Sequence, residues 1–185
     1  MIEKIINETK EGVVAAIKGT GDVVSAIRST VKDVVVGTVK DAGEVTNVAV
    51  GTVASITNGA ITGVISTGTN AVDSAADIVG ATVKGVSEAG GDVMGAVKDA
   101  VSGVIHGTAS VGGDITGVAV VAVEGAVKTA GDIGADVSLA TEHAVVGAIH
   151  AADKSGDEAG KAVRDALLAS AALPRELVEA AINKK

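Results

Sequence analysis

Apolar residues return along this chain every three or four positions, and the pattern keeps its phase from one end to the other. Written in rows of eleven from Met1, the 185 residues fill sixteen rows and leave nine over, with no insertion or deletion. The first, second and fifth columns carry no charge; the sixth carries only Arg28 and the ninth only Lys185. The eleventh column is acidic in ten of sixteen rows, beginning with Glu11, Asp22, Asp33 and Glu44. Eleven residues make three turns at about 3.67 residues per turn, close to the straight α-helix, so each residue advances about 98°. Columns 1, 5, 9, 2 and 6 then lie side by side as an apolar arc of roughly 130°, and columns 10, 3, 7 and 11 form the charged face opposite. The pattern predicts an all-α protein of elongated amphipathic helices. Its apolar face includes the first-column residues Val23, Val34, Val45, Ile56, Ile78, Val111 and Ile133.

Columns 4 and 8 border that arc and hold mostly Gly, Ala, Ser or Thr. Being four apart, they make small-residue ridges such as Gly59 with Gly63 and Gly103 with Gly107, where a second backbone can come close. A longer period of 22 overlies the first. The second column alternates Gly90, Val101, Gly112, Val123, Gly134, Val145, and the fourth alternates Asp92, Gly103, Asp114, Gly125, Asp136, Gly147. Glycine favours the position just past a helix end and aspartate favours the N-cap. The "GGD" strings therefore read as helix punctuation at Gly91, Asp92, Gly113, Asp114 and Asp136, with Gly91 or Gly113 holding the positive φ. Helices of about 17–20 residues, folded back into a bundle or stacked array, follow from that reading. One long continuous helix is the alternative, since the phase survives every punctuation site. Cross-β assembly of the charge-free runs 45–66 and 115–123 is another. The chain reads as a single elongated repeat region, 1–185, with a sub-boundary near 66–70 and a distinct C-terminal helix at 175–185.

Composition narrows the function. There is no Phe, Trp or Tyr, so any core is thin and built of Val, Ala and Ile. Each of the 25 glycines costs a helix interior about 1 kcal/mol relative to Ala. The helices therefore need a surface to pack on: neighbouring segments, another copy or lipid. A net charge of −8 without a basic stripe or stacking aromatics argues against nucleic-acid binding. No cysteine, no P-loop and no strand-flanked dinucleotide loop is present, so no cofactor is expected and the chain reads as non-enzymatic. His106 and His150 share a column with Lys18, Lys40, Lys84 and Lys128 and read as polar-face residues; His143 and His150 lack the spacing of a metal pair. No cleavable signal or membrane span is evident, which favours a cytoplasmic location.

The segments "ETKEGVVAAI" (8–17) and "EVTNVAVGTVASIT" (44–57) resemble the synuclein repeats, and the uncharged stretch 45–72 resembles the apolar centre of that family. Exchangeable apolipoproteins and lipid-droplet coat proteins share the eleven-residue period. The resemblance implies helices that form on a lipid surface. Only Lys10-Glu11-Gly12-Val13 carries the synuclein core intact, and the acidic tail is missing. The functional expectation is a self-assembling structural protein packing through its Gly/Ala ridges, its partner being itself. The alternatives are a coat for a membrane or lipid droplet and, more remotely, an ice-binding or stress-protective protein.

Overall fold

Twenty-two residues are enough for eighteen residues of helix and a four-residue reversal, and the chain is built that way. The computed structural model describes residues 2–41 and 51–184. Among these are nine helices and no strand: α1 Ile2–Thr20, α2 Val23–Asp41, α3 Thr52–Ser66, α4 Ala71–Glu88, α5 Val93–Ser110, α6 Ile115–Asp132, α7 Val137–Ser155, α8 Asp157–Ala169 and α9 Arg175–Asn183. The run 115–123 is the first half of α6, not a strand, and the chain reverses repeatedly where a continuous helix would have run on.

Each reversal in the middle of the chain repeats one design. Past the end of α4, Gly90 donates to the Ser87 carbonyl and Gly91 to the Val86 carbonyl; past α5, Gly112 donates to Ala109 and Gly113 to Thr108. This is the Schellman arrangement, in which the first residue beyond the cap is left-handed. The positive φ therefore belongs to Gly90 (76°) and Gly112 (70°), and Gly91 and Gly113 do not share it. The latter two are confined for another reason: a Cβ on either would lie 2.7 Å from Val86 Cγ1 or Thr108 Cγ2. The next residue starts the following helix. Asp92 accepts hydrogen bonds from the Met94 and Gly95 N–H groups, Asp114 from Gly117 and Asp136 from Leu139, while Asn70 takes the N–H of Val72.

Helices alternate between two layers. The odd-numbered helices lie beside one another, as do the even-numbered ones, and consecutive helices pack across the gap. In the odd layer, Gly59 and Gly63 of α3 face Ile6 and Lys10 of α1, and Gly103 and Gly107 of α5 face Ala54 and Asn58 of α3. Residue numbers rise together on both sides, so helices within a layer run parallel. In the even layer Gly85 of α4 meets Val35 of α2, and Gly125 of α6 meets Ala76 of α4.

The core lies between the layers. Val101, Val123, Val145 and Leu167, mid-helix members of the alternating second column, are all buried there. α3 is uncharged and has ten of its fifteen residues buried, because α1 and α5 flank it closely on both sides. Buried hydroxyls turn back on their own helix: Thr57 donates to Val53, Thr82 to Ile78 and Thr108 to Val104. No described helix is long and apolar enough to cross a membrane.

Glycine replacements separate these environments. Gly112→Ala forces a Cβ into the left-handed region and should cost about 1–2 kcal/mol. Asp114→Ala should cost about 1 kcal/mol through the lost cap. Gly37, inside α2 with no atom of the described residues near its missing Cβ, should instead gain up to about 1 kcal/mol on replacement by Ala. Urea unfolding in dilute solution, followed by circular dichroism, reads all three signs.

Candidate functional site

The glycines that come closest to the backbone of a neighbouring helix fall on the small-residue columns. A Cβ on Gly103 would overlap the Ala54 carbonyl oxygen and Thr57 Oγ1. One on Gly107 would meet Ile61 Cγ2 and lie 3.0 Å from the Asn58 carbonyl oxygen. A Cβ on Gly59 would run into the carbonyl of Ile6, and one on Gly63 would lie 3.0 Å from that of Lys10. A Cβ on Gly147 would lie 2.5 Å from the carbonyl oxygen of Lys98. At these points the backbone of one helix rests on the Cα atoms of the next, and alanine is already too large. From α3 onward the spacing is constant: Ala54 with Gly103, Asn58 with Gly107, Ala76 with Gly125 and Lys98 with Gly147 are each 49 residues apart, whereas Ile6 with Gly59 and Lys10 with Gly63 are 53 apart. The Arg28–Asp77 pair shares the separation of 49.

The first-column residues are divided between two environments. Ile56 and Ile78 are buried at mid-helix, while Val23 and Val34 are half-buried on α2. Val111 is 50% exposed and does not lie on a buried face; it is the C-cap of α5, and Ile133 is the half-buried C-cap of α6. With a reversal every 22 residues, alternate members of an eleven-residue column necessarily land in turns. Val45 lies outside the described residues. The fourth column divides in the same way, its Asp members capping helices and Gly59, Gly103, Gly125 and Gly147 receiving a neighbour.

Two titratable groups are perturbed by these contacts. Asp99 of α5 is half-buried, and burial raises its carboxyl above the ordinary 3.8, with the Gly51 N–H pulling the other way. That N–H begins α3, which has no side-chain cap of its own. On the same layer His106 is held below 6.5, first by burial and then by the charges of Lys154 and His150. Among the described residues no three His, Asp or Glu side chains gather as a metal site would require.

α2, α4 and α6 enclose an open groove of about 550 Å³ on the even layer. Small residues, Ala76, Gly80, Ala81 and Gly125, are among its lining. Arg28 pairs with Asp77 at 2.9 Å and Lys32 with Glu88 at 2.7 Å, both between α2 and α4, while Lys128 pairs with Asp132 at 2.9 Å within α6. Lys84 also lines the groove and forms no ion pair with the described residues. The one signal in the sequence was the 44-residue spacing of Lys84 and Lys128, which places them at equivalent points of α4 and α6. No protein-family model matches the chain, and no curated protein matches it significantly.

Overpacking tests the contact between α3 and α5. Gly103→Ala should destabilise by about 1–3 kcal/mol, and Gly103→Leu by more, because the helices must separate. Thermal unfolding of both variants against wild type measures this. His106 gives a pH dependence of definite sign. Its folded pKa lies below the unfolded value, so between the two the unfolded state binds more protons and stability falls as pH drops below 6.5. Urea midpoints at about pH 7.5 and about pH 5.5 should differ less in His106→Asn than in wild type.

Proposed function

We propose that this chain is a non-enzymatic structural protein that associates with further copies of itself, its helices packing through the glycine–alanine ridge on an eleven-residue repeat. One observation carries the reading. The fourth- and eighth-column glycines of α3, α5, α6 and α7 each receive the preceding helix of their layer, whereas Gly19 of α1 and Gly37 of α2 have no atom of the described residues within 4 Å of where a Cβ would stand. The first helix of each layer thus carries ridge glycines with nothing packed on them. Exposed apolar side chains lie on the same two helices, Ile2 at 55% and Val24 at 40%. A second copy offering the backbone of its last helices would continue both layers. Contact of this kind is head-to-tail, and it propagates into a rod rather than closing as a two-fold dimer.

Lipid adsorption gains less support from this surface. The apolar columns are largely occupied by packing between helices, and the large hydrophobics exposed among the described residues are Ile2, Val24, Val111, Val137 and Leu139, scattered over α1, α2, the α5–α6 turn and the start of α7. A lipid coat would require the hairpins to open.

Sedimentation velocity across a concentration series tests the assembly. Wild type should shift to larger species as concentration rises, and Gly37→Leu should suppress the shift while circular dichroism stays unchanged. A wild-type monomer at every concentration, or a Gly37→Leu variant that assembles like wild type, defeats the proposal. Neutral and anionic vesicles added to the same samples should leave helix content unaltered.

A further inference from the structure

We infer that the groove across α2, α4 and α6 is a binding site for a small phosphate-bearing anion, held by Lys84, Lys128 and Thr129. The groove has the volume of a small-molecule pocket. Its four cations, Arg28, Lys32, Lys84 and Lys128, outnumber its three carboxylates, Asp77, Glu88 and Asp132, in a chain whose net charge is −8. It is therefore a place on an acidic protein where an anion meets a positive balance.

The cations are not equally available. Arg28 reaches Asp77 through both Nε and Nη2, and Lys32 reaches Glu88; both pairs join α2 to α4 and brace the wall. The Lys128–Asp132 pair lies within one helix, with side chains 77% and 61% exposed. An exposed pair of that kind contributes little to stability, so Lys128 turns to a better acceptor at almost no cost. Lys84 has no competing carboxylate within ion-pair distance among the described residues.

The same lining holds a hydroxyl from Thr129. Gly80 leaves a gap in α4 into which Thr129 points from α6; a Cβ at Gly80 would stand 2.9 Å from Thr129 Oγ1. Thr82, Thr108 and Thr141 turn their hydroxyls to the carbonyl four residues back, but Thr129 directs its oxygen across the gap. Lys84, Lys128 and Thr129 all line the groove, which thus offers two ammonium groups and a hydroxyl donor. Lysine binds phosphate as a point charge, and two lysines with a hydroxyl supply enough donors for one phosphoryl group.

Inorganic pyrophosphate is the probe, titrated at constant ionic strength into the folded full chain and followed through backbone amide NMR. Saturable shifts should concentrate at Gly80, Gly125 and Thr129. Lys84→Ala and Lys128→Ala should each weaken binding about tenfold, the loss of one charge-assisted contact. Asp132→Asn, which releases Lys128, should tighten it. Lys161→Ala, on α8 outside the groove, should bind like wild type. Shifts that never saturate, equal weakening by Lys161→Ala, or a Lys84→Ala variant that binds like wild type would each overturn the assignment. The outcome does not depend on whether copies of the chain associate.

Discussion

Everything in this fold depends on how closely parallel helices approach within a layer. Where the carbonyl of residue 54 meets the Cα of Gly103, or that of Lys98 meets Gly147, the distance leaves no room for a methyl group. Such proximity replaces what the composition lacks. Without aromatic side chains, a core of valine and alanine fills space only if the helix axes are drawn together, and glycine at the contact permits that. The glycine cost in helix propensity is thus offset by packing across the whole length of the neighbouring helix.

Two positional rules make this economical in sequence. One column of the eleven-residue pattern supplies the N-cap in one half of each unit and the close contact in the other: Asp92 then Gly103, Asp114 then Gly125, Asp136 then Gly147. Another supplies the left-handed residue beyond a helix and then a buried valine: Gly90 then Val101, Gly112 then Val123. The alternation lapses at Glu158 and Ala169, and there the architecture changes too. α7 and α8 are separated by Gly156 alone, and α8 has no side-chain cap.

The sequence carried the helices, their reversals and the capping aspartates, because those depend on local chemistry that a 22-residue pattern exposes. It did not show which of two adjacent glycines is left-handed, since either could hold the conformation and only the hydrogen bonds from Gly91 to Val86 and from Gly90 to Ser87 decide. Nor did it show that Val111 would leave the buried face, because an unbroken helical wheel assigns no residue to a turn. The 49-residue contact was invisible for a different reason: it equals two units plus five residues, and the five are set by how neighbouring helices slide and cross. The groove was hidden likewise, as a helical wheel merges all charged columns and cannot tell the α2–α4–α6 layer from the other.

Because each helix rests on the one two places earlier, the natural quantum of change in this protein is a pair of helices. Removing one 22-residue unit would turn every later helix over to the opposite layer, setting an α4 neighbour where an α5 neighbour belongs and carrying Lys128 to the side occupied by His106 and His150. Removing 44 residues keeps every later helix on its own side and every lysine in its row. A lineage built on this plan therefore lengthens and shortens by hairpins, and the parity of its helices is inherited along with its chemistry.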